Sequence, residues 1–176
     1  MGTPVGRAFH LIRRFVGSLW PFGPDQADAA WVAGTLTGEE LKLWQRMSRA
    51  DRRHAVGVAH RVERALGHEA GRPVLAAALL HDVGKVASGL GTIGRVLATM
   101  VGLGGGRAMA AEWSKAGGIT RRVGLYLRHD EVGADMLALA GSHPLTVTWA
   151  RQHHQKCEDW AVPAAVGSAL KAADDD

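Results

Sequence analysis

Apolar residues along this chain recur at helical spacing, and no stretch alternates apolar with polar positions as a half-buried strand does. From Thr37 to Gly67 the pattern reads as helix. Thr37 with Glu40 three residues later is a capping box, and Gly67 is a natural C-terminal stop. Ser48 with Asp51 repeats the capping pattern, so the segment reads equally as two consecutive helices with a bend between them. Pro73 stands at a first helical position, and Val74 to Leu80 is apolar without a break. Seven apolar residues would suit a buried strand, but three consecutive alanines favour helix and Gly84 closes it. Ser88 to Gly118 holds nine glycines in 31 residues around an apolar stretch from Ile93 to Leu103, which predicts a loop, a short helix and another loop. Helical pattern resumes over Ile119–Ala140, Pro144–Gln155 and Pro163 to the end. The predicted class is all-α.

Composition narrows the picture. At 176 residues and 18.7 kDa the chain is sized for one domain. It reads as a basic, aromatic N-terminal segment (1–30) and a helical domain (31–176) carrying a glycine-rich insertion at about 88–118. No apolar run approaches the roughly 20 residues that span a bilayer. The lone cysteine, Cys157, excludes an intramolecular disulfide and a Cys-rich zinc site, and suits a reducing, cytoplasmic setting. A net charge of +4 suits an anionic partner or substrate. Within Met1–Pro24, Phe9, Ile12, Val16 and Leu19 keep helical spacing beside Arg7, Arg13 and Arg14. That pattern fits a short helix docked on the domain, or peripheral membrane contact through residues 1–24. The arginine pairs at 13–14, 52–53 and 121–122 do not gather with aromatics, so no specific nucleic-acid partner is expected.

Nine histidines are the unusual feature, and the informative ones fall in a sequence: His60, His81-Asp82, His129, His153-His154 and Asp174. Imidazole nitrogen with carboxylate oxygen suits iron, manganese, zinc, cobalt or nickel. His81 and Asp82 end an otherwise apolar helix, where a buried carboxylate is costly unless it is paired or metal-bound. A helix C-terminus is partially negative, which disfavours Asp82 there, and Asp174 near the last helix end more strongly, unless a cation sits close by. Single histidines are usually surface or satisfied core residues, and His10, His54, His68 and His143 are read that way. Cys157, at i, i+4 from His153, is read as a spectator. Gly89-Leu90-Gly91-Thr92-Ile93-Gly94 matches a dinucleotide fingerprint in letters, but it lacks the preceding strand that motif requires.

The phrase Ala78-Leu79-Leu80-His81-Asp82-Val83-Gly84-Lys85, with His60 before it and Asp174 in Ala172-Ala173-Asp174 after it, resembles the HD superfamily of metal-dependent phosphohydrolases. His129 followed by Gly133, and the pair His153-His154, resemble the subfamilies that hold two metals, among them the HD-GYP phosphodiesterases and the symmetrical dinucleoside tetraphosphatases. Gln155 to Pro163 departs from the Gly-Tyr-Pro signature, and Val56 stands where some relatives carry a carboxylate. The resemblance implies an HD-type helical bundle over roughly residues 52–174. It also implies two divalent ions, iron, manganese or another transition metal, divided among His60, His81, Asp82, His129, His153, His154 and Asp174. The implied activity is hydrolysis of a phosphoester or phosphoanhydride in a small, nucleotide-like substrate. Asp82 would be shared by both ions, and Lys85 is the expected cation against the substrate's phosphoryl oxygens. The alternative expectation is a regulatory module that keeps the metal site and binds a partner or membrane.

Overall fold

The computed structural model describes residues 23–176, so the reading of Met1–Pro24 lies outside the described residues except for Gly23 and Pro24. Ten α-helices follow in order: α1 (Gln26–Thr35), α2 (Gly38–Arg46), α3 (Arg49–Leu66), α4 (Arg72–Leu80), α5 (Lys85–Ser88), α6 (Thr92–Lys115), α7 (Gly118–Leu127), α8 (His129–Leu139), α9 (Pro144–Gln152) and α10 (Ala164–Asp175). No strand occurs among the described residues, and the all-α class holds. None of the described helices is by itself long and apolar enough to cross a membrane.

The capping signals act as their chemistry dictates. Thr37 and Glu40 exchange both bonds of a capping box, Glu40 N–H donating to Thr37 Oγ1 at 3.3 Å and Thr37 N–H to Glu40 Oε2 at 2.9 Å. Ser48 caps α3 by accepting from the Asp51 N–H at 3.1 Å, so the segment from Thr37 is two helices. Each such cap contributes about 1 kcal/mol. Helix α4 is the hub. All seven residues from Val74 to Leu80 are buried, because α1, α2, α3 and α9 pack around it. Val58, Ala59 and Val62 of α3, Leu137 of α8, Trp149 of α9 and Leu170 of α10 complete the same core. An apolar hub helix therefore delivers its polar C-terminal residues, His81 and Asp82, to the middle of the molecule.

The glycine-rich stretch is a correction. It forms the 24-residue α6, not a loop flanking a short helix, with a kink where Gly106 takes φ 67°. A helix-interior glycine costs about 1 kcal/mol, but Gly102 here and Gly124 of α7 permit close helix packing. A Cβ at Gly102 would stand 2.5 Å from Leu127 Cδ2, and one at Gly124 of α7 would stand 2.3 Å from Ser114 N. Glycine lets α6 and α7 approach backbone to backbone.

Gly84 makes the tightest approach near the histidines. A Cβ there would lie 2.0 Å from the His129 carbonyl oxygen and 2.6 Å from Gly133 N, so the turn after α4 rests directly on α8. Gly84→Ala is expected to destabilise the fold by about 3 kcal/mol or more, because backbone cannot yield as a side-chain tip can. Gly34→Ala, where the added Cβ meets nothing within 4 Å, is expected to be neutral or to stabilise by about 0.5–1 kcal/mol. Urea midpoints of the two variants check the contrast.

Candidate metal centre

Three helix C-termini meet at one place. His81 is the C-cap of α4 with Asp82 next to it, His153 is the C-cap of α9 with His154 next to it, and Asp174 lies in the last turn of α10. Helix C-termini carry partial negative charge, and adding the carboxylates of Asp82 and Asp174 makes this point a focus for cations. His129 enters at the junction of α7 and α8, and His54 from the side of α3.

The donor atoms form two groups, each with its members' atoms within 4.8 Å of one another: Asp82, His129, His153 and His154, and then His54, His81 and Asp174. Asp82 reaches toward both. Its Oδ1 lies 3.3 Å from His129 Nε2 and 3.9 Å from His153 Nε2, while its Oδ2 lies 3.4 Å from His81 Nε2 and pairs with the Lys85 ammonium. Asp174 Oδ1 is 2.9 Å from His54 Nε2 and 3.5 Å from His81 Nε2. Two ligands on an ion at roughly 2.0–2.2 Å each stand about 3–3.5 Å apart, the range that several of these separations fall in.

The histidine tautomers point the same way. Nδ1 of His81, His129 and His153 each meets the carbonyl oxygen three residues earlier, of Ala78 at 2.9 Å, Tyr126 at 2.8 Å and Ala150 at 2.9 Å. A carbonyl only accepts, so each Nδ1 carries the proton and each Nε2 is left to face the centre. Backbone carbonyls fix metal-ligating histidines in this way. Nε2 of His81 and of His153 are buried without a hydrogen-bond partner, and such atoms are rare unless something else binds them. His154 Nε2 faces His129 Nε2 at 3.1 Å. The arrangement fits divalent ions held by imidazole and carboxylate.

Electrostatics agrees. Burial opposes the charged form of His81, but the Asp82 and Asp174 carboxylates outweigh it and raise its pKa to about 10. Burial likewise opposes ionised Asp82, and Lys85 and His81 outweigh it, holding its carboxyl well below the usual range. Burial pushes His153 well down, with its histidine neighbours adding to the effect, so it is neutral and ready to ligate. In chelator-treated protein the His81 proton therefore stabilises the fold. That contribution is complete below pH 6.5, declines as pH rises, and is gone above about 10. Thermal midpoints in chelator are expected to fall across that window from this group, and Mn²⁺, replacing the proton, is expected to flatten the fall.

Of the histidines and aspartates expected from the sequence, the structure brings together His81, Asp82, His129, His153, His154 and Asp174, with Lys85 beside them. His60 is the correction. Its Nε2 bonds Asp28 Oδ1 at 3.0 Å and its ring packs on Trp31 at 4.4 Å. Six residues along α3 turn the chain by a further 240° beyond a full turn, so His60 leaves the helix about 120° away from His54. His54, read as an ordinary histidine, occupies the place. A signal was present: Ala55, Val58, Ala59 and Val62 mark the core face, and His54, Gly57 and Arg61 keep helical spacing along its flank. Cys157 is exposed, as a spectator would be.

A cleft of about 1060 Å³ opens over the centre. Its walls carry Arg53, Arg61, Arg95, Arg107 and Tyr126, none of which the sequence assigned to the site. Arg95 is braced by Asp51 at 2.6 Å, and Arg107 by Asp130 at 2.6 Å. Comparison with protein-family models, with curated proteins and with solved structures finds no match to this chain.

Proposed function

We propose that the protein is a metal-dependent phosphohydrolase of the HD type, acting on a phosphoester or phosphoanhydride of a small, nucleotide-like anion. One observation carries the reading: Asp82 lies between two groups of imidazole and carboxylate donors, in which three histidines are locked with Nε2 toward the centre. His54, His81 and Asp174 would hold one divalent ion, His129, His153 and His154 a second, with Asp82 common to both. Bound there, such ions supply Lewis acidity toward phosphoryl oxygens and lower the pKa of water near neutrality.

The chain's own residues do the rest. Lys85 keeps its ammonium at Asp82 and its side chain lines the cleft, so a phosphoryl group arriving at the centre meets a fixed cation. Arg53 and Arg61 line the wall on the α3 side, where guanidinium forks suit phosphate oxygens. Backbone bonds to Nδ1 prevent three of the rings from turning, which keeps the ligand set preorganised.

The test is metal content together with turnover. Protein purified without chelator or a histidine tag is expected to carry about two ions per chain, the number such a shared-carboxylate centre takes. It is expected to hydrolyse bis-p-nitrophenyl phosphate or a nucleoside triphosphate with Mn²⁺ and to stop when chelator is added. Failure to retain any metal after incubation with Mn²⁺ or Fe²⁺ would overturn the assignment.

A further inference from the structure

The cations that line the cleft differ in what already holds them. Lys85 stands at Asp82. Arg107 gives one terminal nitrogen to Asp130 at 2.6 Å and the other to Glu131 at 3.2 Å, so both ends of its fork are committed. Arg61 Nε donates to the Ala173 carbonyl at 2.9 Å, beside Asp174. Arg95 is fixed in another way. Its Nε donates to the Leu90 carbonyl at 3.0 Å, and its Nη1 meets both Asp51 oxygens, at 2.9 and 2.6 Å. That leaves Nη2 without a partner among the described residues, on a side chain only 19% exposed. Two anchored nitrogens hold the guanidinium plane still, so little freedom is lost when the third accepts a ligand. An uncommitted donor in a largely buried side chain is costly until an acceptor reaches it, and Arg95 lines the cleft through which one would arrive.

Position and charge identify the ligand. Asp51 precedes His54 on α3 by three residues, about 4.5 Å along the axis and about 60° around it, so Arg95 is held one turn from a member of the metal centre. Tyr126 ties α6 to the centre from the other side. Its carbonyl accepts from His129 Nδ1 at 2.8 Å, and its hydroxyl meets Thr99, one turn beyond Arg95, at 3.3 Å. Against the one Asp51 carboxylate stand Arg95 and, two residues along α3, Arg53, which lines the same cleft. Helix α6 supplies no acidic residue from Thr92 to Ala111. This end of the cleft therefore favours an anion, and a guanidinium nitrogen suits a phosphate oxygen. With Lys85 and the metal ligands taking the reacting phosphoryl group, the anion at Arg95 is a second one, close enough to belong to the same small molecule.

We propose that Arg95 is a specificity-determining residue: through Nη2 it binds the phosphate linked to the one that reacts, and so selects substrates with two or more linked phosphates over lone phosphoesters. This rests on the phosphohydrolase reading, and metal analysis of the same samples keeps the two apart. Calorimetric titration of the Mn²⁺-loaded full chain with inorganic phosphate and with imidodiphosphate, whose P–N–P link resists hydrolysis, tests it. The parent is expected to bind imidodiphosphate roughly tenfold tighter than phosphate or better, as an added charge-assisted hydrogen bond implies. Arg95→Met is expected to lose that advantage and to keep the affinity for phosphate. Arg95→Lys, which retains a cation for Asp51 but has no second nitrogen, is expected to lose it as well. Asp51→Asn separates binding from a merely structural ion pair. It keeps the guanidinium and removes the competing anion, so imidodiphosphate is expected to bind at least as tightly as to the parent. Melting curves identify the folded variants. Three results would overturn the proposal: a metal-loaded parent that binds the two anions equally, a preference that Arg95→Met and Arg95→Lys leave intact, or equal weakening in Asp51→Asn and Arg95→Met. A parent that holds no metal would overturn the phosphohydrolase reading and this proposal together.

Discussion

Asp82→Asn is expected to remove both metal ions and to lower phosphodiester turnover by roughly 10³-fold or more. The expectation rests on how Asp82 is shared. Oδ1 faces His129 and His153, while Oδ2 faces His81 and Lys85, so one side chain serves both donor groups. Asparagine keeps the size but removes the charge, and its NH₂ puts a donor where one carboxylate oxygen now accepts. Asp174→Asn serves as the internal comparison. Asp174 belongs to the donor group of His54 and His81, so its loss is expected to cost one ion and spare the other. Metal analysis by mass spectrometry, parent beside both variants, reads the difference directly. Loss of a single ion from Asp82→Asn would mean that the carboxylate is not shared.

The same substitution bears on stability without metal. Asp82 is buried and Lys85 largely so, with side-chain exposures of 4% and 14%. Removing one partner of a buried pair leaves the other charge uncompensated and typically costs about 3–5 kcal/mol. A chelated Asp82→Asn protein is therefore expected to melt below the chelated parent. Activity loss and stability loss are separated by assaying well below the melting midpoint.

What the sequence made legible follows from which signals are local. Caps, proline starts and the unbroken Val74–Leu80 run act within a few residues, and the helices they imply are present. His81, Asp82, His129, His153, His154 and Asp174 were legible because each stands at or near a helix end, where an interior charge or imidazole needs a reason. The convergence of three C-termini is tertiary and could be read only from the packed helices. The glycine-rich segment misled because glycine marks both loops and close helix packing, and only the position of α7 decides between them. The cleft arginines were invisible for a similar reason. Arg95 and Arg107 sit on α6, far in sequence from the histidines they overlook.

The exchange between His60 and His54 is the sharpest instance, and it yields the second large expectation. Both histidines lie on α3, and the resemblance in the sequence points to His60. Helical phase decides otherwise. His54 Nε2 reaches Asp174 at 2.9 Å, and its ring stands edge-on to His81 at 5.7 Å between centroids. His60 instead closes a surface contact with Asp28 and Trp31. His54→Ala is expected to weaken the ion shared with His81 and Asp174 by roughly 100-fold or more in affinity, since losing even an outer-shell partner costs 10–100-fold. Turnover at limiting Mn²⁺ is expected to fall accordingly and to recover in part when Mn²⁺ is raised. His60→Ala is expected to keep metal content and turnover, and to lose at most about 1 kcal/mol of stability, because exposed ion pairs contribute little. Mn²⁺ titration of the two chelated, re-metallated variants distinguishes the assignments. Intact binding in His54→Ala with loss in His60→Ala would reverse them, and would mean that α3 sits about a third of a turn from where its core face, Ala55, Val58, Ala59 and Val62, now packs it against α4.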